Sequence, residues 1–131
     1  MLIVCKVRNE AAVISSLKAL EDMSFANGAH VKFQDVDYNL LSLRDQIKVD
    51  LETDIMVGPH GAGLMHNIFM RDRAILVEMH IDGSSANRHF HNLAYWYGRK
   101  YVTGYESNPV NFKQLQLDLV GMIGSMDLNT Y

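Results

Sequence analysis

Residues 53–69 read TDIMVGPHGAGLMHNIF: a short apolar run, then Gly58, Gly61 and Gly63 gathered around His60, then apolar residues again. Glycine where a strand passes into a helix lets the backbone turn tightly, and the missing side chain lets a ligand approach the main chain. A helix opening near Gly63 points free N–H groups and positive dipole into the turn, so an anion is its natural guest. Phosphate or diphosphate fits best, with the His60 imidazole as a further donor that strengthens on protonation. The plainer alternative is that Gly61 and Gly63 only make a tight connection and that His60 caps the helix. Spacing removes several other readings. GPHGAG is not G-x-G-x-x-G and does not follow the first predicted strand, and the chain has no G-x-x-x-x-G-K-[ST]. Gly83-Ser84-Ser85 matches neither the spacing nor the setting of a nucleophile elbow. A phosphoacceptor receiver would need paired acids after its first strand, where this chain has Arg8-Asn9.

The remaining chemistry-bearing residues are weaker signals. His80, His89 and His91 do not form a metal set, because His89 and His91 point different ways on a helix and no cysteine or close carboxylate completes them. No metal is expected. Tyr95, Trp96, Tyr97 and Tyr101 can stack a uracil ring, but an aromatic segment at helical spacing more often packs against a sheet. Asp35 and Asp82 fall near predicted strand ends and read as solvated loop acids. No catalytic base is identified.

Hydrophobic residues make up 48% of the 131 and charged residues 21%, which fits an ordinary globular chain of one domain. The formal net charge of −3, with no local Lys/Arg cluster, gives no attraction to nucleic acid or anionic membrane. Cys5 stands alone, so there is no internal disulfide framework. No apolar stretch approaches a membrane span, and MLIVCKVRNE lacks the features of a signal peptide. It reads instead as a strand, so the chain is expected to begin inside a larger protein.

These residues need elements to hold them. Leu2 to Val7, His30 to Val36, Asp54 to Gly58, Ala74 to Met79 and Lys100 to Thr103 read as strands. Between them, Val13, Ile14, Leu17 and Leu20 follow helical spacing, with Asn9 or Glu10 as the cap. Leu40, Leu43, Ile47 and Leu51 share a second helical face, and Phe90, Leu93, Ala94 and Tyr97 a third that ends at Gly98. Ala26-Asn27-Gly28 breaks the chain, and Val110 to Ile123 makes a last helix. Strands alternating with helices predict an α/β domain over residues 1–125, with a frayed tail at 126–131. The expected architecture is a doubly wound, Rossmann-like, five-stranded parallel sheet of order 2-1-3-4-5. That order sets Val7-Arg8-Asn9 beside Gly58-Pro59-His60-Gly61-Ala62-Gly63, where ligands bind in such sheets.

Taken together, DQIKVDLETDIMVGPHGAGLMHNIFM, ILVEM and NLAYWYGRKYV resemble the carboxyl-terminal half of the family 61 glycosyltransferases, notably members that modify epidermal-growth-factor-like domains. The resemblance is carried by Asp45-Gln46, Thr53-Asp54-Ile55 and His60-Gly61-Ala62-Gly63-Leu64. It implies a two-lobed, GT-B-type, metal-independent, inverting transferase that uses a UDP-sugar, N-acetylglucosamine or a pentose being the expected sugar. This chain would be the donor-binding lobe, requiring a separate amino-terminal lobe and a protein or glycan acceptor. A non-catalytic nucleotide-binding or interaction domain is the alternative. In the transferase reading His60 and the N–H groups of Gly61, Ala62 and Gly63, with Pro59 leading in, hold the diphosphate. Glu78 accepts hydrogen bonds from ribose hydroxyls, or is an exposed edge acid. Gln46 contacts the donor, or packs and caps the neighbouring loop. Arg8 and Asn9 clamp phosphate and tie the backbone, or Asn9 is a plain N-cap. Relatives carry a longer arginine-containing loop here, whereas this chain passes straight from strand to Arg8-Asn9-Glu10. The family's usual address is the lumen of the endoplasmic reticulum or Golgi, and this chain carries no targeting signal of its own.

Overall fold

Short apolar and β-branched runs form β1 (Leu2–Val7), β2 (His30–Asp35), β3 (Ile55–Pro59), β4 (Ile75–Met79) and β5 (Lys100–Val102). The α-helices are α1 (Leu43–Leu51), α2 (His89–Trp96) and α3 (Pro109–Gly124), and tighter 3-10 segments cover Ala19–Asp22, Tyr38–Leu40 and Ala62–Phe69. The computed structural model describes residues 2–7, 17–59, 62–72, 74–79, 88–103 and 109–126. Within it the strands lie in the order β2-β1-β3-β4-β5. Every neighbouring pair is parallel. The α/β class with a parallel sheet is the one that the alternating sequence pattern predicts.

Alternation along the central strands divides the core between the two faces of the sheet. Ile55 and Val57 of β3, with Ile75, Val77 and Met79 of β4, pack with Leu17 and Leu20 and with Leu115, Leu119 and Ile123 of α3. Met56 and Leu76 point the other way, against Leu64 and Met70 around the Ala62–Phe69 segment and Phe90 and Ala94 of α2. Because helices cover both faces, β4 is buried along its whole length. Full burial of one such leucine or isoleucine contributes about 1.5–3 kcal/mol.

Local chemistry fixes the ends of these elements. The Asn27-Gly28 break has Gly28 at φ 80°, and the Asn27 amide donates to Ile123 O (2.7 Å) and Met126 O (3.2 Å). One turn thereby closes the carbonyl end of α3, 96 residues on. Gly98, at φ 72° just beyond α2, is the left-handed residue that ends that helix, as its position in the sequence suggests.

Three expectations need correcting. The segment Leu40 to Leu51 is not one helix: a 3-10 turn over Tyr38–Leu40 is followed by Ser42, which caps α1 by accepting from Asp45 N at 3.2 Å. Its apolar stripe faces outward, with Leu40 82%, Leu43 68% and Leu51 55% exposed. Tyr38 and Asp50 are buried in its place. The second correction concerns the aromatic segment expected to pack on the sheet: Tyr95, Trp96 and Tyr97 are exposed, and Phe90 and Ala94 make the contact. Thirdly, the connection after the glycine turn is a 3-10 helix over Ala62–Phe69. Of the helix expected over Ala11 to Leu20, only the end lies among the described residues, where helical Leu17 and Lys18 run into the Ala19–Asp22 turn. Residues 127–131 of the expected tail lie outside them.

Candidate functional site

Strand order reverses between β1 and β3, and Val7 pairs with Val57 there, so the carboxyl ends of the two strands emerge together. Beyond that point a doubly wound sheet opens its ligand crevice, because the connections on either side leave in opposite directions. On the far side of β3, Gly58 pairs with Glu78 and Pro59 with Met79. Pro59 therefore ends β3 in the crevice, and Ala62 and Gly63 open the 3-10 helix that leaves it. His60, Gly61, Arg8 and Asn9 lie outside the described residues.

Glu78 is completely buried, which removes the reading of it as an exposed edge acid. Alternation sets it on the same face as Leu76, the face covered by the Ala62–Phe69 segment and α2. The Tyr101 hydroxyl donates to its Oε1, and the Thr103 hydroxyl donates to its main-chain oxygen at 3.1 Å. The sheet thus holds a carboxylate one strand away from the glycine turn.

Gln46 occupies the other of its two expected settings: its amide nitrogen donates to Tyr38 O (2.9 Å) and Leu41 O (3.0 Å), closing the loop between the Tyr38–Leu40 turn and α1. The Thr53-Asp54 pair is structural as well. Thr53 Oγ1 donates to Val49 O at 2.7 Å, while buried Asp54 accepts from Arg71 at 3.1 Å. Asp54 O receives Ile75 N at 2.8 Å, tying the start of β3 to that of β4.

Two polar clusters were not anticipated. Asp50, fully buried on α1, accepts from the Tyr38 hydroxyl and is paired with His66 Nδ1, and the Tyr38 and His66 rings stack at 4.0 Å and 6°. No local sequence signal marks Asp50, because the groups that bury and bond it, Tyr38 and His66, come from other segments. The second cluster is Arg99. Its buried guanidinium donates to Asn67 O (2.9 Å), Tyr97 O (3.1 Å), Ile68 O (3.1 Å) and Met70 O (2.6 Å). Burial lowers its pKa from the usual value, an effect that Asp72 opposes. The Asn67, Ile68 and Met70 carbonyls lie at the end of the Ala62–Phe69 helix, and helix ends need such partners.

Among the described residues, no group of three or more His, Cys, Asp or Glu side chains could hold a metal ion. His91 instead accepts from Arg88 Nη2 at 3.1 Å and meets Tyr101 edge-on at 4.8 Å. His80 and Asp82 lie outside the described residues, and Asp35 is exposed at the end of β2. Tyr95, Trp96 and Tyr97 come just before β5, at the amino-terminal ends of the strands, so they are on the wrong side of the sheet to stack a base held in the crevice. A shallow groove of about 470 Å³ between β5 and α3 is lined by Lys100, Val102, Leu117, Asp118, Gly121, Met122 and Ser125 and is separate from the turn.

Residues 5–77 match the family described as Glycosyltransferase 61. Proteins named EGF domain-specific O-linked N-acetylglucosamine transferase are similar: that of Bos taurus is 31% identical over 105 residues, and those of Canis lupus familiaris and Gallus gallus are each 30% identical over 105 residues. Each alignment takes in 80% of this chain and 18% of the relative. The chain belongs to glycosyltransferase family 61. It spans about 18% of the length of the curated relatives it matches.

Proposed function

We propose that this chain is the donor-binding part of a UDP-sugar-dependent, inverting glycosyltransferase of GT-B type, acting on a protein or glycan acceptor in the lumen of the endoplasmic reticulum or Golgi. The observation that carries the reading is the end of β3 at Gly58-Pro59, which leads into the glycine turn and lies at the reversal of strand order beside the end of β1. In this reading His60 and the main-chain N–H groups of Gly61, Ala62 and Gly63 hold the donor diphosphate, and Pro59 leads the chain into it. They relieve the charge that grows on a departing UDP, which is the largest single service such a site can provide. Glu78 receives the ribose hydroxyls. Arg8 and Asn9, next in the sequence after β1, supply a phosphate contact and a backbone tie in this reading. Gln46 acts at one remove, by holding the loop before α1. The sugar is N-acetylglucosamine, the group that the relatives' name specifies, or a pentose. No metal or other cofactor takes part.

Acceptor binding and the catalytic base belong to an amino-terminal lobe in this account. A second reading is a nucleotide-binding or interaction domain without turnover. Sugar transfer or donor hydrolysis by the purified chain would contradict the second. Both readings expect UDP to bind and His60→Ala to weaken it by about 1–3 kcal/mol, the worth of a charge-assisted hydrogen bond. Calorimetric titration measures this, and an unchanged affinity would remove His60 from the site.

A further inference from the structure

Of the nine large hydrophobic side chains that stand exposed among the described residues, all but Leu117 lie on the connections that join β2 to β3, β3 to β4 and β4 to β5. Those connections form one layer. The Ala62–Phe69 helix and α2 cover the Met56 and Leu76 face of the sheet, and α1 is joined to the Ala62–Phe69 helix by the pairing of Asp50 with His66. Apolar surface gathered in one region marks an interaction site, whereas single exposed residues do not. Its most regular part is on α1. Leu43, Ile47 and Leu51 follow at four-residue steps and so make one stripe, with Leu43 and Leu51 exposed and Ile47 half-buried. Met65 and Phe69, on the neighbouring helix, are exposed as well.

The charges beside the stripe say what covers it. Asp50 points to the Ala62–Phe69 helix, so at about 100° per residue Arg44, Lys48 and Glu52 fall on the opposite flank of the stripe, and all three are exposed. Arg44 sits in the first turn of α1 and Glu52 at its carbonyl end. Each is therefore at the end of the helix dipole that disfavours its charge. They stand roughly 12 Å apart along the axis, too far to pair within one helix. A second α1 running antiparallel corrects both. With a two-fold axis level with Ile47, Leu43 of one copy meets Leu51 of the other, and Arg44 comes within roughly 3 Å of Glu52 along the axis. Met65 and Phe69 then meet their counterparts on the other flank. From this self-complementarity we infer that the chain forms a two-fold symmetric dimer in which α1 packs antiparallel against α1 of a second copy. Leu43, Ile47, Leu51, Met65 and Phe69 are its apolar centre, and the Arg44–Glu52 pair, made twice, is its rim. A specific interface built in this way covers on the order of 800 Å² on each copy. Each copy already has a core on both faces of its sheet, so the dimer is a reversible association of folded chains.

The test is sedimentation equilibrium of the purified, folded chain between about 1 and 300 μM. The mass is expected to rise from 14.9 kDa toward twice that value and to stop there, because a two-fold contact closes on itself. Half-association is expected at tens of micromolar, and at about 1 μM the chain is a monomer with Leu43 in solvent. Leu43→Gln and Leu51→Gln, both at exposed positions, should each raise the dissociation constant by about tenfold or more, since each removes two side chains from the dimer. Leu117→Gln, on the opposite layer, should leave it unchanged. The charges test the antiparallel arrangement itself. Arg44→Glu and Glu52→Arg should each weaken association by about fivefold, and the double variant, which restores opposite charges across the axis, should return to within about twofold of the wild type. Circular dichroism checks that every variant is folded. A folded wild type that stays monomeric at about 300 μM, or assemblies that grow beyond the dimer, overturn the inference. So do a dimer undiminished by either folded leucine variant, one weakened as much by Leu117→Gln, and a double charge variant no tighter than the single ones.

Discussion

Asp50 shows how one buried acid organises its surroundings. A carboxylate with no access to water is costly unless hydrogen-bonded, and Tyr38 and His66 provide those bonds from two different segments. Removing either partner leaves a buried acceptor poorly satisfied, so Tyr38→Phe and His66→Ala should each destabilise the fold by about 1–3 kcal/mol in urea unfolding. Shifts below about 0.5 kcal/mol would mean that Asp50 finds water or another donor. Tyr101 permits a pH prediction. Its phenol titrates higher in the folded chain than in the unfolded one, so its contribution to stability is complete below about pH 10 and is lost as pH rises toward the folded value. From about pH 10 upward the wild type should lose stability with a slope that Tyr101→Phe lacks; parallel slopes in urea midpoints would contradict this. The glycine turn was conspicuous in the sequence because glycine and histidine carry their chemistry in their type. Asp50 and Arg99 were not, because a charge reads as surface until its partners, distant in sequence, are known.

At the scale of elements, the Ala62–Phe69 helix links the turn to the rest of the sheet. Its far end is held by Arg99, whose planar fork reaches carbonyls in both this helix and the residues after α2. Lysine cannot reproduce that geometry, so Arg99→Lys should cost at least about 2 kcal/mol in chemical denaturation. A smaller loss would show the clamp to be replaceable. The same Arg99 lies inside the NLAYWYGRKYV motif, which at that position meets a structural demand. Strands and their burial were readable from apolar runs. The orientation of α1 was not: periodicity located an apolar stripe but could not tell which side of the helix the sheet would take. Leu40 and Leu43 stand in solvent, so Leu43→Gln should change stability by less than about 0.5 kcal/mol, whereas Leu76→Ala in β4 should cost about 2–5 kcal/mol. Comparable losses at the two positions would show that the α1 stripe is buried after all.

For the whole molecule, the parallel sheet decides which strand ends lie together. It brings the end of β1, the Gly58-Pro59 end of β3 and Glu78 to neighbouring strands, although they are far apart in sequence. The alternation of strands and helices made that architecture readable in advance, since parallel neighbours require such crossovers. What the sequence pattern could not convey was burial at the strand end, because Glu78 becomes an interior residue only once α2 and β5 have closed over it. The chain matches about 18% of its curated relatives, so nucleotide binding is the property on which the proposed function can be judged directly. The decisive measurement is calorimetric titration of the purified, folded 131-residue chain with UDP. Saturable heat that weakens in His60→Ala is the predicted result, and a folded chain giving no heat at millimolar UDP would contradict it.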